Sequence, residues 1–446
     1  MKFAALLQIA LALALASCSA QTPASPPLTG ADRLQQLRRN GSPITHVVIV
    51  VQENRTPDYL FQGVPGADIA TTAVDSQGQT VSLHPVSLAA PYDLGHAHGN
   101  FVTDYDGGKM DDFDKGLPAR RHLQPFAYAP RSEVQPYYDM ATQYVFADRM
   151  FQSNQAGSFP AHQYLVSGTS SGLPTTSFNV SSDPYNQKTA KKGNAGCDAP
   201  PFTVVDTIDP NNGQPGPTPP PCFERPVLSD LLDQKGVKWR YYQNGLGTGL
   251  WHALDAIQHV RYGADYANVI TPPQTILTDI SKGRLTGVSW VMPATEAYSD
   301  HAGSKSAKGP SWVAAVVNAI GTSKYWKSTA IFVTWDDWGG WYDHYPPPQF
   351  GNYYELGCRV PLVVVSAYAK SGYVSHVQHE FGSILAFSEE TFGIPKGSLG
   401  TTDERADDLM DAFDFSQQPR TFVPIQAPPF NPSRVAGSGL PETEDP

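Results

Sequence analysis

Two short apolar runs, far apart in the chain, each end abruptly in acid. His46 to Asp58 reads HVVIVVQENRTPD, so that Val47 to Val51 lead straight into Gln52, Glu53, Asn54 and Arg55. Ala330 to Trp335, AIFVTW, lead into Asp336 and Asp337, then a Gly339-Gly340 turn and Asp343-His344. Carboxylates gathered in this way are hard oxygen ligands for a divalent cation, and a phosphoryl oxygen could be met at the same place. Three other stretches carry groups that could join such chemistry. Tyr92 to Phe113 holds His96 and His98. In Gly157 to Thr169, GSFPAHQYLVSGT, Ser158 precedes an apolar pattern consistent with a helix start. A hydroxyl there lies at the positive end of the helix dipole, where backbone N–H groups can also hold an anion. Ser299-Asp300-His301 follow a further apolar run. Each also has a plainer reading: a strand running into a polar loop for Glu53, an N-cap for Ser158, and a solvated loop histidine for His301.

The elements that must position these groups can be read from the same runs. A short continuous β-branched run is what a strand covered on both faces requires, as in the middle of a largely parallel sheet. Ligands of open α/β sheets bind outside the carboxyl ends of such strands, where Glu53, Asn54, Asp336 and Asp337 fall. Gly236 to Tyr242, Thr286 to Met292 and Val360 to Ser366 read as further strands. Gly309 to Ile320 sets Trp312, Val313, Val316, Val317 and Ile320 on one helical stripe, and Val227 to Gln234 and Glu380 to Phe392 behave similarly. Strands alternating with helices predict an α/β sandwich whose largely parallel central sheet is flanked by helices.

Met1 to Cys18 has Lys2, an apolar run too short to span a bilayer with margin, and small residues before a cysteine. That pattern is a secretory signal peptide, to be left out of the fold. Leu15-Ala16-Ser17-Cys18 also resembles the bacterial lipoprotein box, which implies a lipid anchor on Cys18 and a location on the periplasmic or cell-surface side. Residues 19–42, rich in Pro, Ser and Thr at their start, read as a flexible tether. The roughly 400 residues after the signal suffice for one large domain with insertions or for two ordinary ones; residues 43–425 are read as one domain. The end, 426–446, is expected to be disordered.

The balance of 42 Asp plus Glu against 31 Lys plus Arg argues against a nucleic-acid partner, which needs a basic patch. Export permits disulfides. Cys197 and Cys222 bracket a stretch of Pro, Gly and Asn inside an insertion near residues 180–225, and are expected to pair, leaving Cys358 free. The absence of any CxxC or Cys/His cluster makes a structural zinc site improbable.

At this point the residues meet a known family. ENRTPDYLF resembles the ENRSFDHYF signature of the bacterial phosphoesterases that include phospholipases C and acid phosphatases, a branch of the alkaline phosphatase superfamily. The match recurs in order. GGKMDDF resembles that family's GKMDGF, SDH its SDHP, TWDDWGGWYDHYPPP its TYDEGGGFYDHVPPP, and CRVPLVVVSAYAKSGYV its RVP…ISPWA…GYV. Together these motifs span His46 to about Arg420 and imply an alkaline phosphatase-like sandwich.

The resemblance also implies metal-assisted phosphoryl transfer through a phosphorylated hydroxyl. Carried over by position, Glu53, Asp336 and Asp337 are the implied ligands of a divalent metal ion, and Ser158 the implied nucleophile. His96 and His301 are the implied catalytic histidines, which bind phosphate or protonate the leaving oxygen. Asn54, His98 and His344 are assigned to substrate binding, and His379 to a structural role at a helix start. Ala161 departs from the family pattern, which usually has Asn near that position. The substrate is then a phosphate ester, a phospholipid or a soluble monoester. A catalytically silent lipoprotein that captures phosphate or phospholipid is the alternative from another class, although such a protein has no need of Ser158. A sulfatase ranks lower, because GSFPAH lacks the arginine of the sulfatase C/S-x-P-x-R context.

Overall fold

The computed structural model describes residues 42–171 and 178–435. The signal peptide, Cys18 and nearly all of the tether therefore lie outside the described residues. Eight strands form the central sheet: β1 (His46–Gln52), β2 (Val145–Ala147), β3 (Trp239–Tyr242), β4 (Val269–Ile270), β5 (Val288–Val291), β6 (Thr329–Trp335), β7 (Leu362–Ser366) and β8 (Tyr373–Ser375). Their order is β4-β3-β5-β1-β6-β7-β2-β8. All pairings are parallel except the two made by β7. The largely parallel α/β sheet expected from the sequence is present, with the acid-ending strands β1 and β6 side by side at its centre.

Their buried runs explain that place. Every residue from Val47 to Val51 and from Ala330 to Val333 has no exposure to solvent, which is tolerable only where helices cover both faces. The helices are α1 (His98–Tyr105), α2 (Arg131–Gln143), α3 (Ser158–Ser167), α4 (Leu228–Gln234), α5 (Gly309–Gly321) and α6 (Phe381–Thr391). α2 packs on α5, while α3, α4 and α6 pack on one another. The two groups lie on opposite faces. On β6, Phe332 meets Phe387 of α6 at 5.0 Å, and Trp335, an odd number of positions on, meets Tyr137 of α2 at 4.9 Å. Side chains an odd number apart on a strand point to opposite sides.

Two elements start or end away from the sequence expectation, for local reasons. β3 begins at Trp239 rather than Gly236, because Gly236 takes φ +66° and closes the turn after α4. β7 begins at Leu362, past Pro361, which has no N–H to give a ladder. The end of the chain corrects the sequence reading. Residues 426–435, expected to be disordered, instead continue a strap over α5. Asn318 exchanges hydrogen bonds with the backbone of Ile425 at 2.8 and 2.9 Å, and the Phe430 ring lies 4.9 Å from that of Trp312.

Cys197 and Cys222 are disulfide-bonded, and Cys358 is buried and free, as the sequence suggested. The bridge closes a loop of 25 residues whose only regular structure is pairs of two-residue strands, such as Thr203–Val204. Loop-closure entropy makes such a bridge worth about 3 kcal/mol. Cys222→Ser should therefore lower the thermal midpoint by several degrees and make the insertion the first segment cut in limited proteolysis.

Candidate active site

The carboxyl ends of β1 and β6 meet in register, Gln52 opposite Trp335, so Glu53 and Asp336 are neighbours by construction. The Asp336 N–H donates to Gln52 O at 3.0 Å, prolonging the ladder by one rung. On the other side of β1, the Glu53 N–H donates to Ser299 O at 2.8 Å, which ties in the loop after β5 that carries His301. Asn54 turns the chain with φ +60°, a conformation asparagine tolerates. Its N–H donates to Asp336 Oδ1 at 2.9 Å. The two glycines after the second acid are required by crowding. A Cβ on Gly339 would lie 2.6 Å from Asn54 O, and one on Gly340 would lie 2.6 Å from the Leu94 side chain; both residues have positive φ.

Ser158 enters this cluster from α3. Gly157 occupies the N-cap and Ser158 is the first helical residue, making no capping bond. Instead its hydroxyl lies 3.1 Å from Asp337 Oδ2 and 3.3 Å from Glu53 Oε2. The N-cap reading is thereby displaced. The helix N-terminus is served from the insertion, where Asp183 accepts the Phe159 N–H at 2.9 Å.

One member of the cluster was missed in the sequence. His162 lies four residues after Ser158, hence on the same face of α3. Its Nε2 is 3.1 Å from Glu53 Oε1 and 3.6 Å from Asp336 Oδ2. That i, i+4 relation was the available signal. One ligand atom from each of Glu53, His162 and Asp336 lies within 4.8 Å of the others. Asp337 joins them through the Ser158 hydroxyl and through its own N–H, which donates to Asp336 Oδ1 at 2.8 Å.

A divalent cation suits these residues. Glu53, Asp336 and Asp337 have no exposure at all, and Asp336 Oδ2 accepts no hydrogen bond. His162 pairs with both Glu53 and Asp336. Three buried carboxylates gathered this closely are costly unless a cation joins them.

His96 and His301 gather beside this cluster's Asn54 in defined tautomers, one ligand atom of each lying within 4.8 Å of the other and of Asp93. His96 Nδ1 donates to Leu94 O at 2.6 Å, which leaves Nε2 to accept from Asn54 Nδ2 at 2.8 Å. His301 Nδ1 donates to Ala302 O at 2.6 Å, turning its Nε2 outward from that bond. The two rings are 6.3 Å apart. Beneath them, burial pushes the Asp300 carboxyl up to about 6 against the opposing pull of Tyr137, Arg55 and Trp335. Tyr137 donates to Asp300 at 2.6 Å.

The model of the Phosphoesterase family matches residues 44–395. This chain belongs to the Phosphoesterase family. Phospholipase C A of Mycobacterium tuberculosis is 26% identical, covering 85% of this chain and 79% of its own length. Non-specific phospholipase C1 of Arabidopsis thaliana is 25% identical over 86% of this chain and 74% of its own. Non-hemolytic phospholipase C of Burkholderia pseudomallei is 25% identical over 80% of this chain and 56% of its own. A solved structure from Vibrio parahaemolyticus, of a protein in the alkaline phosphatase superfamily, aligns over 82% of this chain and 70% of its own, with 10% identity and a TM-score of 0.38.

Two residues assigned to substrate binding stand elsewhere in this member of the Phosphoesterase family. His98 opens α1 and is held by Gln155 O at 3.1 Å. It lines a cavity of about 560 Å³ with Val102, Ile208 and Tyr353. His344 belongs to a separate ion network: Nδ1 is 2.8 Å from Asp58, Nε2 is 3.1 Å from Asp68, and Arg359 pairs with Asp343 below it. Both of its ring nitrogens are engaged there. His379 stands just ahead of α6, consistent with a structural position.

Burial opposes the charge on His344, but Asp58 and then Asp343 outweigh it and lift the imidazole from 6.5 to about 9. The folded state therefore holds this proton more tightly than the unfolded chain. The stabilisation is complete below about pH 6.5 and is lost as pH rises through about 9, amounting to roughly 1–3 kcal/mol. Urea unfolding at pH 6 and pH 9.5 should show that difference, and His344→Gln should flatten it.

Proposed function

We propose that this chain hydrolyses phosphoric esters in the manner of a phospholipase C, with Ser158 as nucleophile. The observation that carries the reading is the Ser158 hydroxyl, buried and held at 3.1 and 3.3 Å by Asp337 and Glu53, at the first turn of a helix whose cap is another residue. A serine placed only for stability would cap that helix.

Ser158 Oγ attacks phosphorus, and its proton passes to the Asp337 or Glu53 carboxylate it already faces. The phosphorus–oxygen ester bond breaks, and the departing oxygen takes a proton from Nε2 of His301 in its imidazolium form, whose Nδ1–H stays on Ala302 O. Water then opens the phosphoserine, giving a proton back to His301, while the carboxylate returns its proton to Ser158 Oγ. The α3 N-terminus favours the negative phosphoryl group, and the Asn54 amide, oriented by His96, contacts its oxygens. A divalent cation held by Glu53, Asp336, Asp337 and His162 would act as a Lewis acid on the phosphoryl oxygen and lower the pKa of the serine hydroxyl. The relatives' names favour a phospholipid as the ester, and export with a lipid anchor at Cys18 would keep the enzyme near such substrates.

The experiment is a panel of a phosphomonoester, a phosphodiester and phosphatidylcholine, each with and without chelator. Chelator-sensitive release of phosphocholine from phosphatidylcholine is expected to exceed turnover of the monoester. Binding without turnover across the panel would leave a silent capture protein instead.

A further inference from the structure

Outside the active site, a second group of ligand-bearing side chains gathers where β8 ends. Ser375 closes β8, His379 stands just ahead of α6, and Asp407 and Asp411 flank a turn in which Leu409 takes φ +59°. One ligand atom from each of His379, Asp407 and Asp411 lies within 4.8 Å of the others. The His379 side chain has no exposure, whereas Asp407 and Asp411 are 32% and 21% exposed, so the group is open to solvent on its carboxylate side.

The hydrogen bonds fix where the lone pairs point. Ser375 Oγ gives its single proton to Asp411 Oδ2 at 2.5 Å. It can therefore only accept from His379 Nε2, 3.1 Å away, so Nε2 carries a proton. In the neutral ring Nδ1 is then a bare acceptor, and it makes no hydrogen bond although Asp407 Oδ1 lies 2.9 Å from it. Asp411 Oδ1 is likewise buried with no donor. Asp407 Oδ1 accepts the Leu409 N–H at 2.7 Å. Burial opposes its charge, yet His379 and that N–H hold its carboxyl below the ordinary range. Among the described residues no lysine or arginine pairs with either aspartate.

A ring nitrogen and a carboxylate oxygen this close share either a proton, with His379 as the imidazolium, or a cation. Bonds of about 2.1 Å set neighbouring ligand atoms about 3.0 Å apart in octahedral and about 3.4 Å in tetrahedral geometry, so the 2.9 Å from His379 Nδ1 to Asp407 Oδ1 needs little opening. Ser375, His379 and Asp407 also follow the order of a nucleophilic triad. The fully buried Ser375, its proton committed to Asp411, leaves no path for a substrate.

We propose that His379, Asp407 and Asp411 bind a divalent first-row cation, such as zinc, at a site separate from the Ser158 cluster. An imidazole with two carboxylates suits such ions. The ion would clamp the turn at residues 407–411 to β8, the edge strand of the sheet, and to the start of α6.

Zinc is the probe. Protein equilibrated with zinc chloride and desalted is assayed for bound zinc by mass spectrometry, as wild type, Glu53→Gln and Asp411→Asn. Asp411→Asn keeps an acceptor for Ser375, should fold, and should carry one zinc fewer than wild type. Glu53→Gln, altered only in the active-site cluster, should retain that zinc, and its thermal midpoint should rise when zinc is added. Equal zinc in wild type and Asp411→Asn would overturn the proposal. So would Glu53→Gln that neither holds zinc nor gains thermal stability from it; the cluster is then held by protons alone. Neither readout depends on whether Ser158 acts as a nucleophile.

Discussion

Ser158→Ala should lower turnover by roughly 10⁴- to 10⁶-fold, the range seen when a covalent nucleophile is deleted, while phosphate binding changes little. The two effects separate because the hydroxyl is one atom in a cluster whose other members stay. Asn54, oriented by His96, and the α3 N–H groups still meet the anion, and the carboxylates keep their places through backbone bonds such as Asn54 N–H to Asp336 at 2.9 Å. Threonine should retain part of the activity, since its hydroxyl can reach the same oxygens. A covalent intermediate requires two in-line displacements, so a chiral phosphate ester should be hydrolysed with retention, and an acid quench should trap label on Ser158. Inversion, or near-normal turnover by the alanine variant, would show that water attacks phosphorus directly.

Chelation, and Asp336→Asn in untreated enzyme, should each abolish turnover to at least the same degree. Asparagine keeps an acceptor for the N–H groups of Asn54 and Asp337, which reach Asp336 Oδ1 at 2.9 and 2.8 Å. The fold should therefore survive while the ligand charge is lost. The sign of the stability change is diagnostic. Without a cation the three buried carboxylates repel, so Asp336→Asn should melt higher than metal-stripped wild type and lower than the loaded enzyme. Full activity after stripping would remove the electrostatic role assigned to this cluster.

The apolar runs ending in acid were legible because burial on both faces leaves an uninterrupted mark in sequence. The short strands β2 and β8, three residues each, carry too few positions to show a period. α2 was hidden by Pro136 inside it, which sequence reasoning takes for a boundary. Within the site, Glu53, Asp336, Asp337 and Ser158 come together as the motifs implied. His162 was overlooked because a histidine beside apolar residues shows its purpose only once its helix face is fixed. His344 shows the converse: a motif sets a position in the chain, while the partner that holds it, Asp58, comes from a different motif.

The strand order also governs how the molecule can be made. Val47 pairs with Val288 and His46 with Thr329, so the central strand has neither neighbour until well over half of the chain has been synthesised. Contacts of such long sequence separation are reached slowly, and a valine-rich strand awaiting its partners is open to aggregation. Burst-phase measurements should find the β1 amides unprotected until the last folding step, and a chain ending before Thr329 should remain a client of holding chaperones.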